Sequence, residues 1–504
     1  MNKWIVTVTV MIGAIMSVID TNIISVAIPY IQGSMDASIE QITWVSAGYL
    51  LSNTIVMPII GLLSSRFGRK NFYMFGIALF VISSALCGLS LNLYSLVFFR
   101  ILEGIGGGIL VPLAQAIVRE VFPKEEQGMA LGIFGMGMVT GPAFGPMLAG
   151  WLVTNYNWRW IFYINLPFGI IALIMVSIFI KDPPFFERKK EKIDFLGLFF
   201  MALGLGSMQI FLANGENKNW FSSDYITDLF IIASISTILF IIREFTTDKP
   251  AVNLRVIKNT SFSIGALLAG LLGVGMYATI FIVPIFLENL LGYTAFDAGL
   301  AMLPRGLGLI LMTPMSGKLF NKLGPKVLVG MGLILVITSL FLFANLNLNV
   351  SFWDICILQF LQGAGLGLIF VPLNTSVLLT IDKRDLTSVT GVYYTFRLIM
   401  GSIGIALVST LVDRSTNMYY SILTQYVSVF NRSTLEYIIK LEKIFGISFI
   451  AFPNLKLKEI INGFVLQQAQ MLSYNHIFLL SMILFLFCIP LVLFLKGIKD
   501  LYKH

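Results

Sequence analysis

The sequence predicts an all-α polytopic membrane protein with 14 transmembrane helices, and three observations carry that prediction. Of its 504 residues, 57% are hydrophobic and only 12% charged, with a mean hydropathy of +0.87, whereas an ordinary soluble domain carries roughly 25% charged residues. Apolar stretches of about 20 residues, enough to cross a hydrocarbon core as helix, recur along almost the whole chain. Lys and Arg are dense in every second connecting segment and sparse in the others, except for one long external loop that holds six.

Taken in order, the expected spans are 4–28, 42–63, 71–91, 95–118, 128–152, 159–180, 195–213, 225–242, 260–287, 297–316, 326–346, 352–380, 388–411 and 476–496. With the N-terminus inside, the cytoplasmic segments hold 1, 3, 2, 5, 4, 3, 2 and 3 basic residues, 23 of the 34 in the chain. The short external loops hold only Arg159 and Lys218. Because basic residues near span ends are retained on the cytoplasmic side, both termini are expected there. The N-terminal apolar run is too long for a signal peptide and lacks a small-residue cleavage site, so it reads as an uncleaved first helix.

This topology accounts for the net charge of +8 without nucleic acid. Cys87, Cys356 and Cys488 fall inside apolar spans, and His476 and His504 are the only histidines; neither a disulfide framework nor a metal site is indicated. The chain has no G-x-x-x-x-G-K-[ST] phosphate loop and no H-E-x-x-H. No cofactor, no metal and no enzymatic activity are expected.

The chain repeats itself. Gly61-Leu-Leu-Ser-Ser-Arg66-Phe-Gly68-Arg69-Lys70 returns as Gly317-Lys-Leu-Phe-Asn-Lys322-Leu-Gly324-Pro-Lys326, and Leu102-Glu103-Gly104-Ile-Gly106-Gly-Gly108 returns as Leu361-Gln362-Gly363-Ala-Gly365-Leu-Gly367. Two matches at nearly one offset predict a duplicated six-helix bundle, 1–180 and 258–504. Cytoplasmic linkers and two inserted helices fill 181–257, and a long external loop occupies 413–475. The Lys181 to Asp194 linker reads as a solvated strap. Ser433 to Ile450 has amphipathic periodicity, which fits a solvated cap or a docking surface.

Charges inside spans are expensive and are kept for function or tight pairing. Asp20 stands alone in the first span. Arg100 and Glu103, three residues apart in the fourth, share a helical face, either as a permanent ion pair or as a proton-coupling pair. Arg305 lies deep in the tenth span, while Asp297 and Glu288 lie near external ends. The Gly61 to Lys70 loop places a Gly turn and the cations Arg66, Arg69 and Lys70 at cytoplasmic helix ends, which fits a gating loop or merely a topogenic one. In the fifth span Gly137, Gly141 and Gly145 share one face, permitting close helix approach, and Pro142 and Pro146 can bend that helix.

These motifs resemble those of the major facilitator superfamily. The Gly61 loop is similar to G-x-L-a-D-r-x-G-r-k, with Ser65 for the Asp; Gly137-x-x-x-Gly141-Pro142-x-x-Gly145 is similar to the antiporter motif, with Pro146 for its last Gly; Arg100-x-x-Glu103-Gly104 is similar to R-x-x-Q-G. Asp20-Thr-Asn22-Ile-Ile-Ser25-Val-Ala-Ile-Pro29 and Asn157-Trp158-Arg159-Trp160-Ile161-Phe162-Tyr163-Ile164-Asn165-Leu166-Pro167 resemble runs of the fourteen-helix drug:proton antiporters. So do Phe396-Arg397, with Gly401 and Gly404, and Gln467-Gln468-Ala469. The resemblance covers nearly the whole chain and is nearest to the EmrB-type multidrug exporters.

It implies the major facilitator fold, arranged six plus two plus six, in a bacterial cytoplasmic (inner) membrane. It further implies alternating access, with Asp20, Arg100 and Glu103 coupling protons to efflux of lipophilic or amphipathic molecules, and Asn22, Arg305, Gln362 and Arg397 facing the cavity. The partners it implies are a small-molecule substrate, protons, lipid, a periplasmic adaptor and an outer-membrane channel. A dedicated metabolite or siderophore exporter uses the same machinery, and a non-transporting membrane sensor or assembly subunit is the reading from another class.

Overall fold

The computed structural model describes residues 2–37, 39–123, 126–182, 194–247, 252, 254–379, 381, 386–427, 436 and 455–495. The chain runs through α1 (Lys3–Met35), α2 (Ile39–Val56), α3 (Ile60–Phe67), α4 (Arg69–Leu89), α5 (Leu93–Val121), α6 (Gln127–Asn155), α7 (Trp160–Tyr163) and α8 (Asn165–Phe179). It continues through α9 (Phe195–Asn214), α10 (Asp224–Thr246), α11 (Thr260–Ile285), α12 (Ala295–Phe343), α13 (Phe352–Leu379), α14 (Leu386–Tyr426) and α15 (Leu455–Val492). Thirteen helical segments among the described residues are long and apolar enough to cross a membrane. The 29-residue α6 stands where the sequence places a further span.

Polar residues set the helix starts. Asn92 accepts from the Ser95 amide in a reciprocal capping box at α5, Asn259 accepts from Ser261 and Phe262 at α11, and Thr294 accepts from Asp297 at α12; each supplies an acceptor that the first turn lacks. Outward faces are apolar: Ile231, Ile235, Ile238 and Ile242 form an exposed stripe along α10, the surface expected of a helix solvated by lipid rather than water.

The tenth and eleventh expected spans stand as two membrane-length helices, Phe296–Phe320 and Lys322–Phe343, with α12 broken between them at Gly324, whose φ of 78° is not helical. One expected boundary shifts. Past the apolar stretches that end and begin the last two spans, α14 continues to Tyr426 and α15 starts at Leu455, and Tyr420 donates to Asn462 across them. Hydropathy falls there but the helices do not stop, since their backbone bonds are satisfied internally whatever the side chains. The stretch from Ser433 to Ile450, Glu436 apart, lies outside the described residues, as do 183–193 of the linker.

The same close approaches occur twice, at the offset of the sequence repeat. Gly68 (φ 88°) and Gly324 (φ 78°) both take a backbone conformation that disfavours a side chain. A methyl group on Gly106 would lie 2.7 Å from the Phe80 nitrogen and 2.9 Å from the Gly76 oxygen; one on Gly365 would lie 2.6 Å from the Gly332 oxygen. Gly104 abuts the Tyr49 carbonyl as Gly363 abuts the Arg305 carbonyl. Lys70 Nζ donates to the Ser177 carbonyl at the end of α8, and Lys326 Nζ to the Leu493 carbonyl after α15.

Between the two sets of helices, α6 lies along α12, from Gly132 beside Thr313 to Gly299 beside Met147. The start of α14 closes on the turn after α2, where Gly391 abuts the Met57 carbonyl and Pro58. Tyr394 and Leu398, further along α14, pack against the core of the first set.

Candidate functional site

Asp20, Arg100 and Glu103 come together. All three are fully buried, with exposures of 1%, 0% and 0%. One nitrogen, Arg100 Nη1, serves both carboxylates, 2.7 Å from Asp20 Oδ2 and 2.9 Å from Glu103 Oε2. Nε donates to the Val45 carbonyl at 3.1 Å, and the guanidinium lies 4.4 Å above the Tyr49 ring and 5.7 Å from that of Phe162.

Asp20 has both oxygens engaged, because Asn165 Nδ2 donates to Oδ1 at 3.2 Å while also donating to Ser84 Oγ at 3.0 Å. Glu103 is less well held: Cys87 Sγ reaches Oε2 at 3.5 Å, and Oε1 has no hydrogen-bond partner among the described residues. The cluster is therefore built from α1, α2, α4, α5, α7 and α8, all in the first half of the chain. One cation facing two acids leaves a surplus negative charge in a dry setting unless one acid carries a proton. Taking an uncompensated charge out of water costs several kcal/mol.

Sequence reasoning found these three charges but missed their neighbours. Asn165 was legible only as part of an aromatic-rich run, and Tyr49, Ser84 and Cys87 are ordinary span residues whose role comes from helix packing. Gln359 occupies the repeat position of Arg100, as Gln362 does that of Glu103. Both glutamines are buried, with Gln359 Nε2 and Oε1 and Gln362 Oε1 lacking partners among the described residues.

The Gly61 loop separates its cations. Gly61 is half-buried in α3, Arg66 is exposed, and Arg69 is buried against Glu120 of α5. Lys70 has its amide 3.0 Å from Asp182 Oδ1, and the same carboxylate lies where a Gly68 side chain would stand, 2.7 Å away. Where the family motif has its Asp, this chain has Ser65, whose hydroxyl donates to the Leu62 carbonyl. Asp182, just past the sixth expected span in the linker, is the acid that meets the start of α4.

The Gly stripe of α6 faces α1. Methyl groups on Gly137, Gly141 and Gly145 would lie 2.6 Å from Met11 Cε, 2.7 Å from the Val18 carbonyl and 3.0 Å from Asn22 Cβ. Pro142 and Pro146 are helical here, and their side chains, like that of Ser25, lie outside the described ones. Asn22, half-buried, bonds back to the Val18 carbonyl at 2.7 Å. Arg305 and Arg397 are not brought to the Asp20 cluster; they sit among α11, α12, α13 and α14.

At the linker, Asp194 caps α9 through the Gly197 amide and pairs with Arg243 at 2.9 Å. Burial pushes its carboxyl up, but the Arg243 guanidinium and the Gly197 amide outweigh this and hold it below its ordinary value.

Long apolar helices around a buried arginine and two acids, with an internally repeated crossing pattern, define a multi-pass membrane protein, and the family it matches makes it a transporter rather than an enzyme. Residues 10–405 match the family model of the Major Facilitator Superfamily, and the chain belongs to that family. It is 31% identical over 493 residues to the multidrug export protein EmrB of Haemophilus influenzae, covering 98% of this chain and 95% of that protein. It is 32% identical over 491 residues to the fatty acid resistance protein FarB of Neisseria gonorrhoeae, covering 97% and 95%. Among solved structures, a double-tryptophan mutant of XylE superposes with a TM-score of 0.60 at 14% identity, over 99% of this chain and 97% of that one, a likeness of fold alone.

Proposed function

We propose that the protein is a proton-coupled exporter of lipophilic or amphipathic small molecules, working by alternating access in a bacterial cytoplasmic membrane with both termini inside. The observation that carries this reading is the single Arg100 nitrogen shared by two fully buried acids. One proton makes that cluster neutral, and losing it restores a buried charge, so protonation selects between packings of the surrounding helices.

In this reading Glu103, whose Oε1 is unbonded, offers the open oxygen for the proton, while both oxygens of Asp20 are held by Arg100 and Asn165. Six helices on each side of two inserted ones, α9 and α10, would rock about the α6–α12 seam. The contacts of Gly391 with Met57 and Pro58, and of Tyr394 and Leu398 with the first-half core, are among those that opening toward the cytoplasm must break. The multidrug and fatty-acid relatives support a lipophilic cargo. The extensions of α14 and α15 offer a place for the periplasmic adaptor, and through it the outer-membrane channel, that the EmrB likeness implies.

The test is gradient-driven efflux from proteoliposomes. Asp20→Asn and Glu103→Gln should each abolish pH-driven efflux of a lipophilic dye together with the accompanying proton flux. Wild-type rates in both variants would remove the cluster from the mechanism.

A further inference from the structure

Arg305 and Arg397, two cations within the spans of the second half, have no carboxylate within pairing distance among the described residues. Arg305 of α12 is 7% exposed; its Nη2 donates to Thr279 Oγ1 at 3.3 Å, and Nη1 has no partner among those residues. Arg397 of α14 is half-buried, lies 4.4 Å over the Phe370 ring, places Nη2 3.8 Å from Met276 Sδ, and has an unpartnered buried Nε. Thr279 Oγ1 donates in turn to the Met276 carbonyl at 2.9 Å, so the two guanidinium groups flank one turn of α11.

Gln362, beside Arg305 where α13 crosses α12, adds an unpartnered amide oxygen. An arginine held among apolar helices without a counter-ion keeps its full desolvation cost. A planar oxyanion, which two N–H groups of a guanidinium match in geometry, removes that cost.

The neighbours select further. Phe370 and Met276 give an apolar and polarizable surface suited to an alkyl or aryl chain, and the site lies among spans, where a compact hydrophilic anion must shed its hydration. We infer that Arg305 and Arg397 form an anion-recognition site for a single-chain amphiphile, its carboxylate between the two guanidinium groups and its apolar part along Met276 and Phe370. This rests on the exporter reading and names the charge class of its cargo.

The test uses the full chain in phosphatidylcholine nanodiscs, with radiolabelled dodecanoate as the probe. Arg305→Gln and Arg397→Gln should each weaken dodecanoate binding roughly tenfold or more, the double variant should bind none, and dodecyltrimethylammonium of the same chain length should not compete. Unchanged affinity in variants that melt at the wild-type temperature would overturn the site, as would equal competition by the cationic analogue.

If the glutamine variants fail to fold, Arg397→Lys and Gln362→Glu carry the test. Lysine should keep part of the affinity and the added carboxylate should remove it; no change in either overturns the inference. Adding phosphatidylglycerol should leave the affinity unaltered, and displacement by it would assign the cations to a membrane lipid headgroup instead. Efflux of a neutral dye by the wild-type protein is measured separately. Efflux with arginine-independent binding sinks only the anion site, and arginine-dependent binding without efflux sinks only the exporter.

Discussion

Where α5 crosses α2, Gly104 lies on the Tyr49 carbonyl; where α13 crosses α12, Gly363 lies on the Arg305 carbonyl. The backbones meet alike, yet the side chains at the two crossings carry opposite electrostatics. In the first, Arg100 is surrounded by Asp20 and Glu103, one positive charge against two acids. In the second, the positions of Arg100 and Glu103 hold Gln359 and Gln362, and the position of Tyr49 holds a cation, Arg305. Glycine spacing thus preserves the scaffold of both copies while their charge has diverged. On the two proposals made above, the first copy holds a proton and the second attracts an anion.

The largest effect should come from Arg100→Gln. It strips the counter-ion from two buried acids and should cost about 3–5 kcal/mol, read as a lowered melting temperature and yield in nanodiscs. A wild-type melt would mean that both acids are already neutral, and the contrast between the copies would collapse.

Next come Gly104→Ala and Gly363→Ala, where the obstacle is main chain that cannot swing aside. Each should lose about 1–3 kcal/mol, and the two losses should match. A tolerated substitution at only one of them would show that the crossings are less alike than they look.

Asn165→Leu leaves Asp20 with one bonded oxygen and should cost about 1–3 kcal/mol. A lowered melting temperature in nanodiscs would register it, and a wild-type melt would mean that Asn165 does not hold Asp20. The smallest effect is expected from Asp182→Asn, which weakens the acceptor at the start of α4 by about 0.3–1 kcal/mol. Faster amide exchange confined to Lys70 and its neighbours would register it, and unchanged exchange would free Gly68 and Lys70 from that acid.

Much of this was legible in the sequence because a membrane enforces simple rules. Length and hydropathy fix where helices cross, and a lone charge such as Asp20 or Arg100 stands out against lipid-compatible neighbours. What could not be read is which face meets which partner: Asn165 reaches Asp20 across 145 positions of chain, and nothing in the local periodicity of either helix states it. Extending the repeat by three residues from Gln362 would have exposed Gln359 opposite Arg100. The break at Gly324 was legible because Lys322 and Lys326 mark a span end there, as Arg69 and Lys70 do at Gly68. Asp182 escaped because it belongs to no motif position and meets Gly68 and Lys70 only through the fold.

The lopsided charge of the two copies bears on energetics as well as on recognition. A carrier that admits one proton for each monoanion it expels moves two elementary charges in the direction favoured by an inside-negative voltage. Each is worth about 2.3 kcal/mol per 100 mV. Such a cycle would keep running on voltage alone after the pH difference had vanished, whereas the exchange of a proton for a monovalent cation would stall.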